Sequence, residues 1–432
     1  APASVFAAAC LMLLRGRGAA GRLGWRRRRV ARMAAVAGPV AVASPKGAEA
    51  MDGGAPARPR MPKVELHVHL DGAFCPALLF EATRGSFADE LPEFVNSAWD
   101  GRRIDIREPV RHCRSPEDLF KLMTCHGQRS LRACIQCFEV LTPMVRGRLE
   151  LVERLAKRFA EGQASQGVVY TEVRYAPHLL ASGGCMSAPE TVRSEEAAAV
   201  VDAVTRGLRA GVDGTGVTVN QILCGIAWCP GWADDTVTIA SERMADWPCA
   251  VVGYDIAAGE AHFDDPAKHA PHVQAAVRAG KLGLGVTVHA GEDGPPANVM
   301  TAIDVYGAQR IGHGYRLVQS PEMLQEAIRR GVHFEGCPTS SLETGAWELD
   351  GDPDWRLHPM RRLLEAGASV SINSDDPTVF GTSLDRELAI AREDMALTPE
   401  QLRGCTLAAI DAAFAPSEEK RRLRDLVERS AP

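Results

Sequence analysis

The 432-residue sequence lacks the features that mark membrane, secreted and glycosylated proteins. No apolar run approaches the ~20 residues that a membrane-spanning helix needs, which argues against an integral membrane protein. The twelve cysteines follow no regular spacing, whereas a secreted disulfide scaffold is normally short and dense in cysteine. None of Asn96, Asn220, Asn298 and Asn373 begins an N-x-[ST] motif, so the chain offers no site for N-glycosylation. We therefore expect the protein to work in a reducing, cytoplasmic compartment.

Two motifs of nucleotide-handling and base-handling proteins are also missing. No G-x-G-x-x-G follows the first predicted strand, at 64–70, which weakens a dinucleotide-binding interpretation. The P-C-x-x-C motif that zinc cytidine deaminases combine with H-x-E is absent as well. The remaining composition, with 46% apolar and 24% charged residues, is typical of a globular protein.

Charge is distributed unevenly along the chain. Residues 1–50 contain eight Arg and one Lys against one Glu, a net charge of +8, which leaves −14 for residues 51–432. An acidic body argues against nucleic acid or an anionic membrane as the main partner.

We expect residues 1–60 to form a disordered Arg- and Ala-rich extension, followed by one domain at 61–432. The apolar stretch Ala7–Leu14 precedes the block Arg26–Arg29, the reverse of the order in a secretory signal. A mitochondrial transit peptide fits the Arg content but not the scarcity of serine, and a nucleic-acid-binding tail is a further alternative. Met51 is a plausible natural start.

Eight short, β-branched apolar runs after residue 62 predict strands, at Val64–Leu70, Val168–Tyr175, Val217–Cys224, Ala250–Ile256, Leu284–His289, Arg310–His313, Val332–Cys337 and Ser369–Asn373. Stretches of helical periodicity lie between most of them, at Leu149–Gln163, Glu195–Ala210, Pro271–Ala279, Pro321–Arg330 and Pro359–Ala366. Glycines are predicted to end these and similar helices, at Gly167, Gly211, Gly280, Gly331 and Gly367. Eight strand–helix units predict a (β/α)₈ TIM barrel with extra helices.

Polar residues gather where the predicted strands end. The segments are His67-Val68-His69-Leu70-Asp71-Gly72, Ala258-Gly259-Glu260, His289-Ala290-Gly291-Glu292, Gly312-His313-Gly314 and Asn373-Ser374-Asp375-Asp376-Pro377. In a (β/α)₈ barrel the carboxyl ends of the strands carry the active site, so we expect these segments to meet there.

The histidines among them predict a metal site. His67 and His69 are two residues apart on a strand, so both imidazoles point to the same face. His289 would add a third nitrogen and Asp375 a carboxylate. A His₃Asp set describes a catalytic zinc site that lowers the pKa of water and supplies hydroxide at neutral pH.

The neighbouring residues predict acid–base chemistry. Glu292 follows His289 by three residues, close enough to sit beside the metal without binding it. Partial burial would raise the pKa of its carboxyl group and make it a proton donor. His313, between two glycines, could orient or deprotonate the attacking water. Asp375 and Asp376 are adjacent, so one can bind metal while the other contacts substrate.

These segments resemble the adenosine deaminases of the animal type over about residues 62–426. The resemblance implies an amidohydrolase barrel with one Zn²⁺ per chain, acting on adenosine and 2′-deoxyadenosine in purine metabolism. It implies that Glu292 protonates ring nitrogen N1, that His313 lies over the water, and that Asp375 is both catalytic and a metal ligand. The implied metal ligands are His67, His69, His289 and Asp375. The implied substrate-binding residues are His69, Asp71 at a ribose hydroxyl, Gly259 at N3 and Asp376 at N7.

The sequence departs from the resemblance at the N-terminal extension, at Phe120–Ser130 and at Ser182–Ser194. After the second of these, Leu131, Ile135 and Phe138 share one helical face, which predicts either a lid over the purine or plain core packing. Cys134 and Cys137 form a C-x-x-C on the same helix.

Two alternatives to an adenosine-specific enzyme stay open. One is a deaminase of adenine nucleotides or N6-modified AMP, which would need cations for the phosphate. The other is a binding protein, for instance a partner docked at the cell surface. The strand at 250–256 has no lysine to bridge two metals, which favours one. The resemblance also implies outer cell-surface or lysosomal locations besides the cytoplasm.

Overall fold

The computed structural model describes residues 61–85, 87–184, 192–245, 247–349 and 351–430. The extension predicted at 1–60 and most of the departure at 182–194 lie outside these residues. Within the described ranges, no helix is both long enough and apolar enough to cross a bilayer.

The predicted (β/α)₈ barrel is confirmed, with all eight predicted strands present. The barrel strands are β1 Lys63–His69, β4 Val168–Tyr175, β5 Thr218–Ile226, β6 Val251–Ala257, β7 Gly285–Ala290, β8 Arg310–His313, β9 His333–Gly336 and β10 Ser369–Ile372. They pair in parallel in the order β1-β4-β5-β6-β7-β8-β9-β10. A two-stranded antiparallel hairpin, Phe94–Asn96 (β2) and Arg103–Asp105 (β3), follows β1 and was not predicted.

Helices connect the strands and cover the barrel. In chain order they are α1 Pro76–Ala82, α2 Phe87–Glu90, α3 Arg107–His112, α4 Pro116–Leu122, α5 Leu131–Val145, α6 Leu149–Ser165, α7 Pro177–Leu180, α8 Ser194–Val212, α9 Ala233–Ser241, α10 Pro266–Leu282, α11 Pro296–Asp304, α12 Pro321–Arg329, α13 Pro338–Glu343, α14 Pro359–Glu365, α15 Pro377–Phe380, α16 Leu384–Glu393, α17 Pro399–Ala412 and α18 Ser417–Arg429. Proline at the start of so many helices fits the first turn, where the missing N–H has no partner to lose.

Among the described residues, the sheet closes through one isolated bridge at the carboxyl ends of the strands. Val68 of β1 pairs with Asp375, just beyond β10. The backbone N–H of His69 donates to the Asp375 carbonyl at 2.7 Å, and that of Asp375 donates to the His67 carbonyl at 3.1 Å. Barrel closure therefore places the β1 histidines beside Asp375.

Three of the five glycines predicted to end helices do so. Gly167, Gly331 and Gly367 have φ values of +76°, +69° and +90°, where a side chain is disfavoured. The predictions for Gly211 and Gly280 were wrong, because both lie inside longer helices.

Helices α8 and α10 show why those two predictions failed. Gly211 lets α8 approach α6, since a Cβ there would lie 2.5 Å from the Lys157 carbonyl oxygen. Helix α10 begins earlier than Pro271, at the N-cap Asp265, whose carboxylate accepts the Ala267 N–H at 3.0 Å. It ends at Gly283, with φ of +92°.

Candidate active site

The predicted strand ends meet around one cavity at the carboxyl face of the barrel. The predicted site residues that line it are His69, Asp71, Gly259, His289, Glu292, His313, Asp375 and Asp376. His67 lies fully buried beneath them. The fold thus brings every site residue predicted from the sequence to one place.

The four predicted metal ligands converge with His313. One atom each from His67, His289, His313 and Asp375 lie within 4.8 Å of one another. Asp375 Oδ1 is 3.1 Å from His67 Nε2 and 3.5 Å from His69 Nε2. His69 Nε2 and His289 Nε2 are 3.3 Å apart. These atoms surround one point and lie close enough together to bind a metal ion.

Two of these imidazoles are held with one nitrogen turned to that point. His67 Nδ1 donates to Glu335 Oε2 at 2.7 Å, and His289 Nδ1 donates to Asp255, whose Oδ2 is 3.1 Å away. A proton on Nδ1 leaves the Nε2 lone pair free for a metal. His67 Nε2 is buried and makes no hydrogen bond. The donor set therefore fits a divalent metal such as zinc.

Arg174 holds both of these carboxylates. Its Nη1 donates to Asp255 Oδ2 at 2.9 Å and its Nη2 to Glu335 Oε2 at 2.7 Å, with all three side chains fully buried. Although burial opposes ionisation, Arg174 and Arg310 keep the pKa of Glu335 well below its usual value. Asp255 likewise stays ionised beside His289 and Arg174. Both carboxylates can therefore accept the histidine protons.

Sequence reasoning gave no role to Arg174, Asp255 or Glu335. Each lies inside a predicted strand, where a charged residue is readily taken to face solvent. A signal was present, because polar residues occupy every second position on two strands, Glu172 and Arg174 on β4 and His333 and Glu335 on β9. Residues two apart on a strand point to the same face, which in a closed barrel is the interior.

Three residues of the site adopt a backbone conformation that non-glycine residues rarely use. Ala258, His313 and Asp375 have φ values of +74°, +69° and +58°. Each sits at the carboxyl end of a barrel strand. Left-handed conformations of this kind carry a cost and cluster at functional sites, where the surrounding structure enforces them.

Glu292 lies where a proton donor is expected. Its Oε2 is 3.7 Å from His313 Nε2, and the residue is 4% exposed. Burial, followed by the charge of Asp375, raises the pKa of Glu292 well above its usual value, so the carboxyl group holds its proton. Burial has the opposite effect on His313 and lowers its pKa well below the usual range, which keeps the imidazole neutral.

The loop that carries Glu292 is held by Glu260, a residue for which no role was predicted from the sequence. Glu260 Oε1 accepts the backbone N–H groups of Glu292, Asp293 and Gly294 at 2.8, 3.1 and 2.9 Å. Its Oε2 accepts from the Asn298 side chain at 2.9 Å. One buried carboxylate thus fixes the loop between β7 and α11.

Asp71 and Asp376 present unpaired oxygens to the cavity. Oδ1 of each is buried without a hydrogen-bond partner. Burial raises the pKa of Asp71 to about 7. Burial and the charges of Asp375 and Asp71 raise the pKa of Asp376 well above its usual value. Gly72 packs directly on Asp376, since a Cβ there would overlap the carboxyl group. Both groups are placed to bond a ligand.

Helix α5 covers the cavity with the predicted apolar face. Leu131, Ile135 and Phe138 all line the cavity, together with Cys134. Ser130 caps the helix by accepting the Ala133 N–H at 3.4 Å. The face therefore packs over the site rather than into the barrel core.

Comparison with known proteins identifies relatives over nearly the whole described chain. The family model for adenosine deaminase matches residues 62–430. The chain is 33% identical over 364 residues to the adenosine deaminase of Xenopus tropicalis, covering 84% of this chain and 93% of the relative. It is 33% identical to the adenosine deaminase of Mus musculus over the same length, covering 84% and 95%.

Solved structures share the fold. An amidohydrolase from Burkholderia ambifaria with bound Zn superposes with a TM-score of 0.67 at 22% identity, covering 85% of this chain and 90% of that one. The N6-mAMP deaminase of Arabidopsis superposes with a TM-score of 0.65 at 24% identity, covering 85% and 98%. At these identities the likeness shows the barrel fold alone.

Proposed function

Since the chain belongs to the adenosine deaminase family, we propose that it hydrolyses adenosine and 2′-deoxyadenosine to inosine and 2′-deoxyinosine with release of ammonia. The observation that carries the proposal is the meeting of a metal-type cluster and the buried carboxyl group of Glu292 in one cavity. Hydrolysis of an aminopurine needs both an activated water and a proton donor for the ring.

We propose that His67, His69, His289 and Asp375 hold one Zn²⁺, as the relative with bound Zn supports. When bound there, zinc would lower the pKa of water and supply hydroxide at neutral pH. Glu335 and Asp255 orient His67 and His289 by accepting their Nδ1 protons, and Arg174 fixes both carboxylates.

Glu292 and His313 carry out the proton transfers. Protonated Glu292 donates to ring nitrogen N1, which makes the adjacent carbon more open to attack. Neutral His313, 3.8 Å from Asp375 Oδ2, accepts a proton from the attacking water and holds it in place. The two groups face each other, so the proton taken at one can be delivered to the leaving ammonia within the same site.

The remaining cavity residues bind the nucleoside. The protonated form of Asp376 can donate to N7, which accepts hydrogen bonds only. Gly259, at φ of +90°, offers its backbone to N3, with Trp228 packed behind it. Asp71 accepts from a ribose hydroxyl. The apolar face of α5 covers the purine and excludes water from the reacting atoms.

The charge of the cavity favours nucleosides over nucleotides. Its lining includes Asp71, which we place at the ribose end, and neither Lys nor Arg is among the lining residues that the structure describes. A 5′-phosphate would bring about −2 charge toward the Asp71 carboxylate without a cation to receive it. This argues against the alternative of a nucleotide deaminase, the activity of the Arabidopsis neighbour.

We predict that AMP is deaminated worse than adenosine by roughly three orders of magnitude in kcat/KM, because repulsion of several kcal/mol opposes its binding. 2′-Deoxyadenosine should be a good substrate, as expected if Asp71 reads the 5′-hydroxyl. The measurement compares kcat/KM for the three compounds, and for N6-methyl-AMP, on one preparation. AMP or N6-methyl-AMP turning over as well as adenosine would assign the chain to nucleotides. A folded, metal-loaded chain that acts on none of them would favour the binding-protein alternative.

We propose further that the barrel domain spans 61–432 and that residues 1–60 contribute nothing to it. The family match, which begins at residue 62, supports this boundary. The proposal fails if a chain starting at Met51 loses turnover or melts at a lower temperature. We also propose a reducing, cytoplasmic location, because the twelve cysteines follow no regular spacing of a disulfide scaffold. Fractionation of the source cells would test this location.

A further inference from the structure

Two tryptophans that the proposed reaction does not use meet beside the strand ends that carry the site. Trp99 lies in the turn of the β2–β3 hairpin, and Trp228 follows β5 by two residues. The centroids of the two indole rings are 5.5 Å apart and the rings are nearly perpendicular, at 86°. This is the edge-to-face arrangement that aromatic pairs prefer. The pair therefore joins the hairpin to the carboxyl end of the barrel.

Both indoles pack against Gly259, the residue that we place at purine N3. A Cβ at Gly259 would lie 3.6 Å from Trp228 Cζ2 and 3.7 Å from Trp99 Cζ3, which is ordinary van der Waals contact. Gly259 lines the cavity, whereas neither tryptophan is among the lining residues that the structure describes. Gly259 is therefore the link between the indole pair and the cavity.

The backbone at Gly259 needs such a support. Its φ value is +90°, and that of the preceding residue, Ala258, is +74°. Left-handed conformations carry a cost for alanine and persist only where the surrounding structure enforces them. Glycine has the freest backbone of all residues, so packing must fix the direction of its N–H group. The two indoles provide that packing on the side where glycine has no side chain of its own.

The two tryptophans are held in different ways. Trp228 packs on an apolar cluster that includes Ile226 and Ala257, and both of these line the cavity. Trp228 is thus fixed to the barrel itself. Trp99 comes from the hairpin and is 39% exposed. Its position therefore depends on how the hairpin turn is held.

The hairpin turn is bonded to helix α5, which covers the cavity, on both sides of Trp99. The backbone N–H of Ala98 donates to Glu139 Oε1, in a side chain that is largely buried. Arg132 Nη1 donates to Asp100 Oδ2 at 3.2 Å. Arg132 and Glu139 are two helical turns apart and share one face of α5. The position of Trp99 is therefore set by the helix that covers the cavity.

We infer that Trp99 is a positioning residue for purine binding, which holds the Gly259 backbone where it bonds N3. This inference rests on the proposed function and deepens it. Trp99 touches neither the substrate nor the reacting atoms and acts through Gly259. Because both neighbours of Trp99 are bonded to α5, the same contact links the N3 site to the helix that covers the purine.

Kinetics on adenosine give the first test. The bond to N3 is made in the ground state and the transition state alike, so its loss should raise KM and leave kcat unchanged. A neutral hydrogen bond is worth a net factor of about 3–10, so Trp99→Ala should raise KM by about 3- to 10-fold. Trp99→Phe keeps an aromatic ring and should recover most of the loss. A fall in kcat at unchanged KM overturns the inference.

Phe94 provides a matched control on the same hairpin. It is 37% exposed, close to the value for Trp99, and its ring lies under the Arg103 guanidinium at 3.9 Å. Phe94→Ala should leave KM for adenosine as in wild type. Far-ultraviolet circular dichroism and melting temperature establish that each variant is folded. If Phe94→Ala raises KM as much as Trp99→Ala, the effect comes from the hairpin as a whole and the inference is overturned.

Binding of two compounds that cannot be protonated at N1 isolates the N3 contact. 1-Deazaadenosine retains N3, whereas 1,3-dideazaadenosine has a C–H group in its place. Calorimetric titration of the full-length, zinc-loaded chain gives both dissociation constants. Trp99→Ala should weaken binding of 1-deazaadenosine by about 3- to 10-fold and that of 1,3-dideazaadenosine by less than about twofold.

The outcomes of this titration separate the inference from the proposed function. Equal losses for both compounds would show that Trp99 only covers the cavity, and no loss for either would show that it does not act on N3; each result overturns the inference. A wild-type chain that binds neither compound overturns it together with the purine site. If only 1-deazaadenosine is affected but the wild-type chain does not deaminate adenosine, the proposed function fails and the inference stands.

Discussion

At the scale of single residues, the site is set by which side chains hold the reacting ones. His67 and His289 are oriented by Glu335 and Asp255, and Arg174 holds both carboxylates in place. Buried charges are costly unless they are paired, so this network is stable only as a complete set. The histidines therefore reach the cavity already in the tautomer that a metal needs.

The most specific residue-scale prediction concerns Glu292. Glu292→Gln keeps the shape of the side chain but cannot donate a proton to N1, so we expect turnover of adenosine to fall by roughly 10²–10⁴-fold or more. Metal content should stay as in wild type, because Glu292 is not among the metal-type cluster. Near-normal turnover in this variant would show that Glu292 has been given the wrong role.

His358 gives a second residue-scale prediction, about stability and pH. Its Nδ1 accepts the Met360 N–H at 3.0 Å and its Nε2 donates to the Ser341 hydroxyl at 2.6 Å, so both nitrogens are used by the neutral ring. Burial lowers the pKa of His358 to about 3, from a usual value of 6.5. The unfolded chain therefore binds a proton that the folded chain does not bind. As a result, the free energy of unfolding falls as the pH drops below 6.5.

His358→Asn removes this titration and keeps an acceptor for Met360. From about pH 7.5 to about pH 5, wild type should lose about 2 kcal/mol more unfolding free energy than the variant. Urea unfolding of both proteins at the two pH values measures the difference. Parallel pH dependence of the two proteins would contradict the prediction.

At the scale of secondary structure elements, the barrel could be predicted because each strand and its following helix leave a local pattern. Arg310–His313, for example, was predicted with its observed bounds. The hairpin β2–β3 was missed, since its strands are only three residues long, too short to show a periodic pattern. The packing of Cys125 in one buried cluster with Cys134 and Cys137 of α5 was missed as well, because it depends on the conformation of a loop, which leaves no periodic pattern in the sequence.

Glycines inside helices were misjudged for a related reason. Gly207 and Gly211 of α8 both face α6 closely, and Gly211 was predicted to end the helix. A Cβ at Gly207 would overlap the Glu153 carbonyl and lie 2.8 Å from the Ala156 Cβ, whereas Gly162 of α6 has nothing within 4 Å. Gly207 and Gly162 therefore form a matched pair.

We predict opposite effects of alanine at these two glycines. Gly207→Ala should lower the free energy of unfolding by about 1–3 kcal/mol, because the helices must separate. Gly162→Ala should be neutral or stabilising by up to about 1 kcal/mol, because alanine favours the helix and meets no neighbour. Urea unfolding midpoints give the comparison. Equal shifts in both variants would mean that the packing of α6 on α8 is not what requires Gly207.

At the scale of the whole molecule, a (β/α)₈ barrel gathers residues that are far apart in sequence. His67 and Asp375 are separated by most of the chain, yet barrel closure through Val68 and Asp375 sets their atoms 3.1 Å apart. The positions of these residues could be predicted from the sequence because the barrel has only one face for strand ends. The supporting network of Arg174 could not, because it depends on side-chain contacts across the barrel interior.

The central claim is that this cluster is a one-metal catalytic centre, and metal content measured together with turnover tests it most directly. We predict one zinc per chain in the purified protein, loss of adenosine turnover when a chelator removes it, and recovery when zinc is returned. His289→Ala should lose both metal and activity, whereas Glu292→Gln should lose activity and keep the metal. Two metal ions per chain, or full turnover in the metal-free protein, would contradict the claim.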